Sequence, residues 1–195
     1  MIRLGILGST RGTNMLALID AMNKGFLNAT IEIVLSNKLN AIILERAKSF
    51  GLEFQFISPE GLSRVDFDKK VSEILINHQI ELVVLIGYMR ILSADFVSKW
   101  NNRVINVHPS LLPAFAGKMD TEVHQAVLDS GVKETGCTIH FVTEEVDAGP
   151  IILQKKCPVL IEDTVESLKA KVQQLEGLAL IDAINLIASK KKPLP

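Results

Sequence analysis

The sequence predicts an α/β protein with a doubly wound, mostly parallel sheet, and three observations support that prediction. In the first half, short apolar runs alternate with helical patterns of about ten residues, which is typical of βαβ units. The aliphatic run Leu82 to Ile86 is what a strand covered on both faces of a parallel sheet requires. In the second half two strand-like runs follow each other without a helix between them, so we expect at least one antiparallel strand.

The elements of the first half follow from their periodicity and end signals. The predicted strands are Ile2 to Leu7, Ile31 to Leu35, Glu53 to Ile57, Leu82 to Ile86 and Val104 to Val107. The predicted helices are Met15 to Asn23, Ala41 to Phe50, Asp66 to Asn77 and Ser93 to Trp100. Gly51 is expected to end the second helix, and Ser93 to cap the fourth.

The second half contains fewer recognisable elements. Thr138 to Val142 and Ile151 to Pro158 are predicted strands, and an amphipathic helix is predicted from Val165 to about Ala188. The basic run from Lys190 to Pro193 is expected to be a solvated tail. Repeats, low-complexity segments and linkers are absent from the sequence, so residues 1–195 are predicted to form a single domain.

Composition excludes several classes of function. Hydrophobic residues make up 48% and charged residues 22% of the 195 residues, which excludes intrinsic disorder. The net charge of −1 provides no general basic surface for nucleic acid, and every apolar run is too short to span a membrane. Cys137 and Cys157 lack the spacing of a zinc site and are expected to be reduced thiols. We expect a cytoplasmic protein without metal.

The glycine-rich segment Gly8 to Asn14 connects the first strand to the first helix. Gly8 and Gly12 permit close backbone approach, and the free amides at the start of the helix favour an anion. The segment has a broken G-x-G-x-x-G pattern and lacks the Gly-Lys-Ser/Thr of a P-loop. A single phosphate monoester therefore fits better than a dinucleotide or polyphosphate, and a plain turn is the alternative.

Asn106 and His108 alternate at the end of the fifth predicted strand, so their side chains leave the same face. Pro109 keeps His108 extended. An amide and an imidazole at the carboxyl edge of a sheet could stabilise a developing oxyanion. The alternative is a histidine satisfied by a core carbonyl beside an asparagine that turns the chain.

The acidic segment Glu144 to Ile151 contains Asp147 next to small residues. Asp147 could keep a histidine charged by direct or water-bridged contact, and a solvated acidic loop is the alternative. His78 is expected at a helix C-terminus, while His124 is expected at a helix start and its role is ambiguous. His140 is expected on the opposite face of its strand from Ile139 and Phe141, without a neighbour as convincing as those of His108.

Taken together, these pieces resemble the phosphoribosylglycinamide formyltransferase family. The resemblance rests on Gly87 to Leu92 (GYMRIL), Asn106 to Pro113 (NVHPSLLP) and Val146 to Gln154 (VDAGPIILQ), whose order and spacing match. The likeness runs from Met1 to about Ala188 and implies the Rossmann-like formyltransferase fold. The loop Gly8 to Asn14 is longer than the usual Ser-Gly-x-Gly-Ser-Asn of the family, and Ala114 to Val123 also departs from the common forms.

The resemblance implies a folate-dependent reaction of purine biosynthesis. The amine of glycinamide ribonucleotide would attack the formyl carbon of 10-formyltetrahydrofolate, a dissociable cosubstrate. Asn106 and His108 would stabilise the tetrahedral oxyanion, with His108 as general acid. Asp147 would keep that histidine protonated and assist proton transfer through water.

The resemblance also implies two sets of binding residues. For glycinamide ribonucleotide they are Gly12, Thr13 and Asn14 around the phosphate, and Gln173, Gln174, Leu175 and Glu176, with Glu176 the partner of the amine. For the folate they are Arg64, Met89, Arg90, Ile91, Leu92, Asn106, Thr143, Glu144, Glu145, Val146 and Asp147.

Three other functions compete with this interpretation. A methionyl-tRNA formyltransferase would need a further basic domain for tRNA, and a formyltetrahydrofolate deformylase would carry a regulatory domain. A non-catalytic folate- or nucleotide-binding module would have no need for Asn106, His108 and Asp147 together. We therefore expect small-molecule substrates, no nucleic-acid or membrane partner, and a monomer or homodimer.

Overall fold

The computed structural model describes residues 1–119 and 121–190. The strands are β1 (Ile2–Gly8), β2 (Ala29–Ser36), β3 (Phe54–Phe56), β4 (Leu82–Ile86), β5 (Val104–His108), β6 (Glu134–Phe141) and β7 (Ile151–Pro158). The helices are α1 (Thr13–Asn23), α2 (Ile42–Ser49), α3 (Arg64–Asn77), α4 (Ala94–Lys99), α5 (Thr121–Ser130) and α6 (Val165–Lys190). Of the predicted basic tail, Lys190 ends α6, and the remainder lies outside the described residues.

The strands form one seven-stranded sheet in the order β3-β2-β1-β4-β5-β6-β7. Strands β1 to β5 pair in parallel, while β6 is antiparallel to both β5 and β7. The predicted mixture of parallel and antiparallel pairing is confirmed. The strand order reverses between β1 and β4, and ligands of such sheets bind beyond the carboxyl ends of the strands at this point.

Helices cover both faces of the sheet, which explains why β4 is apolar at every position. Val84 and Ile86 belong to a core cluster that includes side chains of α1 and α6. Val83 and Leu85 belong to a second cluster with Phe67 of α3 and side chains of α4. Each fully buried large aliphatic or aromatic side chain contributes about 1.5–3 kcal/mol of transfer free energy. The sheet is therefore packed against a hydrophobic core on each of its two faces.

The local signals explain where two helices begin. Helix α1 begins at Thr13, earlier than predicted, because Gly12 adopts a left-handed conformation with φ 68° and immediately precedes it. Helix α3 begins at Arg64 because the Ser63 hydroxyl accepts a hydrogen bond from the Asp66 amide at 3.1 Å. The predicted Ser93 cap of α4 is confirmed by the hydrogen bond that Ser93 Oγ accepts from the Phe96 amide.

Other boundaries were less visible in the sequence. Strand β6 begins at Glu134, well before the predicted Thr138. Helix α5 was anticipated only as a helix start near His124. Within the described residues, we find no helix that is both long and apolar enough to cross a membrane.

Candidate active site

The end of β5 places two polar side chains on one face of the sheet. Asn106 pairs in register with His140 on the antiparallel β6, and His108 pairs with Thr138. Because directly opposed residues on neighbouring strands share a face, His140 lies beside the predicted pair. The cluster of Asn106, His108, His140 and Asp147 is called the His108 cluster below.

The hydrogen bonds of Ser110 determine which nitrogen of His108 carries a proton. The Ser110 hydroxyl donates to the Ala114 carbonyl at 2.6 Å, which uses its only proton. Its oxygen therefore accepts a hydrogen bond from His108 Nδ1 at 2.9 Å. The other ring nitrogen, Nε2, lies 3.3 Å from Asp147 Oδ2. The two ring nitrogens of His108 therefore face a hydroxyl oxygen on one side and a carboxylate oxygen on the other.

Asp147 is held in the loop between β6 and β7 with its backbone in the left-handed region, at φ 56°. Its Oδ2 accepts a hydrogen bond from the Gly117 amide at 2.9 Å, and its side chain is 10% exposed. Burial raises the pKa of Asp147, but hydrogen bonds from His108 and Gly117, together with the histidine charges, outweigh it and hold the pKa below its ordinary value. The side chain is therefore a carboxylate at neutral pH.

Sequence analysis missed His140 as a member of the cluster. His140 Nδ1 donates to the Phe141 carbonyl at 3.0 Å, and Asn106 Nδ2 lies 3.2 Å from His140 Nε2. Burial lowers the pKa of His140 below its ordinary value despite the Phe141 carbonyl and the nearby Asp147. The neutral ring accepts one N–H of the Asn106 amide, which leaves the other N–H available for a ligand.

His140 was expected to lack a neighbour as convincing as those of His108, but Asn106 and Asp147 both lie beside it. The sequence carried part of the signal, because period-two alternation correctly placed His140 on the face opposite Ile139. What it could not provide was the register between β5 and β6, which sets that face beside Asn106.

The first turn of α1 and the middle of α6 meet in a second cluster. Asn14 Nδ2 donates to Glu176 Oε2 at 2.8 Å. Gly12 is the residue before the helix, so the amides of Thr13 and Asn14 are among those that an α-helix leaves unpaired at its start. The structure thus brings together four of the predicted ribonucleotide-binding residues. Of the others, Gln173 and Leu175 are partly exposed and Gln174 is exposed on α6.

The segment after β4, residues 87–92, is tied to the loop after β1 by Ser9. The Ser9 hydroxyl accepts a hydrogen bond from the Met89 amide at 2.8 Å and donates to Asn37 Oδ1 at 2.6 Å. Met89 is 43% and Ile91 57% exposed, so both present apolar surface to solvent. This segment is therefore anchored to the turn that precedes α1.

The remaining predicted folate residues occupy mixed environments. Leu92 is buried in the core, and the Arg90 guanidinium stacks 4.2 Å from the centre of the Phe67 ring. Arg64 is exposed at the start of α3. Thr143 is partly exposed, and Glu144, Glu145 and Val146 are exposed in the loop that also carries Asp147.

Two histidines lie outside the His108 cluster. His78 follows α3, as predicted, and its Nδ1 lies 2.8 Å from the Ile74 carbonyl. That hydrogen bond is the main cause of a pKa above the ordinary histidine value. His124 is buried in α5. In the described ranges we find no group of three or more His, Cys, Asp or Glu side chains placed to hold a metal ion.

The sequence of this chain is similar to the sequences of known enzymes. The formyl transferase family model matches residues 2–184. The chain is 44% identical over 189 residues to the trifunctional purine biosynthetic protein adenosine-3 of Gallus gallus, covering 96% of the chain and 18% of that relative. The chain thus spans about a fifth of the length of such trifunctional relatives.

Shorter relatives match over most of their own length. The phosphoribosylglycinamide formyltransferase of Haemophilus influenzae is 37% identical over 177 residues, which cover 90% of the chain and 82% of that protein. The crystal structure of glycinamide ribonucleotide transformylase 1 from Symbiobacterium toebii has a TM-score of 0.93 and 40% identity, covering 100% of this chain and 91% of that one. The fold implied by the sequence resemblance is confirmed. The chain belongs to the formyl transferase family and, within it, to the phosphoribosylglycinamide formyltransferases.

Proposed function

We propose that this protein transfers the formyl group of 10-formyltetrahydrofolate to the amine of glycinamide ribonucleotide. The products are formylglycinamide ribonucleotide and tetrahydrofolate, in purine biosynthesis and one-carbon metabolism. The observation that carries the proposal is the position of His108 between the Ser110 hydroxyl and the Asp147 carboxylate, beside the Asn106 amide. Family membership supports the same reaction.

The first step needs hydrogen-bond donors for an oxyanion. As the amine attacks, a bond forms between its nitrogen and the formyl carbon, and the formyl oxygen gains negative charge. The free N–H of Asn106 and the Nε2 proton of His108 donate to this oxygen. Both donors are held before the substrate arrives, Asn106 by His140 and His108 by Ser110.

The second step moves a proton from one nitrogen to another. The attacking amine loses a proton through water to the Asp147 carboxylate, and His108 gives its Nε2 proton to N10 of the folate as the carbon–N10 bond breaks. Asp147 then returns the proton to His108. The net change is one formyl group and one proton exchanged between the two nitrogens.

The two substrates occupy different parts of the sheet edge. Gly12, Thr13 and Asn14 bind the phosphate through backbone amides, while Glu176 receives the amine, assisted by Gln173, Gln174 and Leu175. The folate lies against the exposed side chains of Met89 and Ile91 and contacts the loop that carries Asp147.

We further propose that residues 1–195 form one formyltransferase domain acting in the cytoplasm as a monomer or homodimer. Its partners are the two small-molecule substrates, and the reaction uses no metal.

The proposal is tested by following the absorbance change as formylfolate is consumed by the purified protein. We expect consumption that depends on glycinamide ribonucleotide. Consumption without the ribonucleotide would indicate a deformylase, and no consumption in either reaction, with folate still bound, would indicate a binding module.

A further inference from the structure

Helices α1 and α6 approach each other closely where Gly177 meets Ala17. Gly177 is buried, and a Cβ atom placed on it would lie 2.7 Å from the Cβ of Ala17. Ordinary contacts between carbon atoms are about 3.5–4.0 Å. The Ala17 methyl group is attached directly to the backbone and cannot rotate away. A side chain at position 177 would therefore force the helices apart by about 1 Å.

Backbone conformation does not account for this glycine. Gly177 lies inside α6, and its φ is not in the left-handed region that favours glycine. A glycine within a helix is less favourable than alanine, because it loses more conformational freedom on folding. The reason for a glycine at position 177 is therefore the space that it leaves for the Cβ of Ala17.

The close approach affects the adjacent residue, Glu176. Glu176 Oε2 accepts the hydrogen bond from Asn14 Nδ2 at 2.8 Å, and Asn14 lies on the same face of α1 as Ala17, three residues away. Hydrogen bonds of this kind extend to about 3.2 Å, so a separation of about 1 Å breaks the contact.

We infer that Gly177 is a positioning residue that sets the distance between α1 and α6, and so holds Glu176 against the phosphate-binding turn. This inference rests on the proposed function, in which the first turn of α1 binds the phosphate of a ligand whose amine meets Glu176. Because one ligand contacts both helices, their spacing determines whether both contacts form together. A displacement of about 1 Å is enough to impair such an arrangement.

The test is the substitution Gly177→Ala. We expect the Kd for glycinamide ribonucleotide, measured by calorimetry, and its KM to rise by about tenfold or more, as for the loss of a charged hydrogen bond. The KM for formylfolate should stay unchanged. A purely structural role would alter the melting temperature without this selective change.

The matched control restores the space between the helices by removing the Cβ of residue 17 on α1. Ala17→Gly combined with Gly177→Ala keeps one glycine and one alanine at the contact, so the helix propensities balance and the ribonucleotide affinity should return to the wild-type value. Ala17→Gly alone should leave that affinity unchanged.

A Gly177→Ala protein with wild-type affinity, or a double variant without restored affinity, would overturn the inference. If Gly177→Ala does not fold, the double variant must both fold and bind the ribonucleotide normally. A wild-type protein that does not bind the ribonucleotide would overturn the proposed function as well, whereas wild-type binding with an unaffected variant overturns this inference alone.

Discussion

At the scale of single residues, the contacts around His108 support its proposed role. Ser110 can only accept from Nδ1, because its proton is given to the Ala114 carbonyl. The carboxylate of Asp147 lies 3.3 Å from Nε2. Serine and aspartate together therefore hold the ring at both nitrogens, as the proposed general acid requires.

Replacing His108 or Asp147 should impair the proposed formyl transfer and leave the fold intact. We expect His108→Ala and Asp147→Asn each to lower kcat by about 10²- to 10⁴-fold, the effect of losing a general acid or an oxyanion donor. Steady-state kinetics measure the loss, and circular dichroism checks the fold. His78→Ala is the matched control, because His78 lies at the end of α3. Near-normal kcat in either variant would contradict the assigned role.

The neutral His140 ring should give the reaction a specific pH dependence. When His140 gains a proton, its Nε2 becomes a donor facing the donor Nδ2 of Asn106, so the amide loses its fixed orientation. Since the pKa of His140 lies below its ordinary value of 6.5, this loss is expected only at pH below 6.5.

The substitution His140→Gln separates this effect from titration of the substrate amine. A glutamine carbonyl can accept from Asn106 at every pH. We expect the ratio of kcat for His140→Gln to kcat for the wild type, at saturating substrates, to rise as the pH falls below 6.5. A ratio that is constant with pH would contradict this role of His140.

At the scale of elements, the loops after β1 and β4 pack closely against each other. Gly87 has φ 57°, and a Cβ placed on it would collide with the Thr10 hydroxyl oxygen. The Ser9 amide also donates to the Gly87 carbonyl at 3.1 Å. The turn that precedes α1 is therefore fitted against the segment that carries Met89 and Ile91.

Gly87→Ala should destabilise the protein through both backbone strain and this collision. Gly61→Ala is the control, because Gly61 also has a positive φ but open space around its Cα. Backbone strain costs about 1–3 kcal/mol and is common to both variants, whereas only Gly87→Ala adds the collision with Thr10. We therefore expect Gly87→Ala to lose more unfolding free energy than Gly61→Ala, as measured by denaturant titration. Equal losses would indicate that the contact with Thr10 is easily relieved.

Periodicity predicted most elements of the fold because it is a local property. The uniformly apolar β4 and the Ser93 cap are both decided within a few residues. The early start of α1 was missed because it depends on the left-handed conformation of Gly12, which the residue type permits but does not require. The start of β6 at Glu134 was missed because Glu134, Thr135 and Gly136 are not apolar residue types, although Thr135 and Gly136 are buried.

At the scale of the whole molecule, the site is assembled from segments far apart in the sequence. Asn14 and Glu176 are 162 residues apart and share a hydrogen bond. Local patterns carry no information on such a contact, so Glu176 was predicted only through resemblance to a family. Alternation predicted that Asn106 and His108 share a face and the family resemblance gave them a role, whereas His140 required the register of β6.

The stability of the whole protein should fall in acid because of two side chains of the His108 cluster, His140 and Asp147. The folded-state pKa of His140 is lowered, so its contribution is present above pH 6.5 and is lost as the pH falls below that value. The pKa of Asp147 is lowered below 3.8, so its contribution is lost at more acidic pH. The pKa of His78 is raised, and its contribution is present below pH 6.5 and opposes that of His140.

Thermal melting between pH 8 and pH 3 tests these signs (about the range over which histidine and aspartate titrate). We expect His140→Gln to flatten the loss of stability just below pH 6.5. We expect His78→Ala to remove a gain in stability that the wild type shows as the pH falls towards 6.5 from above. Asp147→Asn should reduce the loss in the most acidic part of the range. Identical profiles for the wild type and His140→Gln would show that His140 is not buried in its neutral form.

The most direct test of the proposed reaction follows the formyl carbon itself. Glycinamide ribonucleotide and formylfolate labelled with ¹³C in the formyl group are incubated with the protein, and the label is located by NMR. The account predicts that the label appears in an N-formyl group formed on the amine of the ribonucleotide. It also predicts that His108→Ala slows the appearance of this group. Label released as formate, or retained on the folate, would contradict the account.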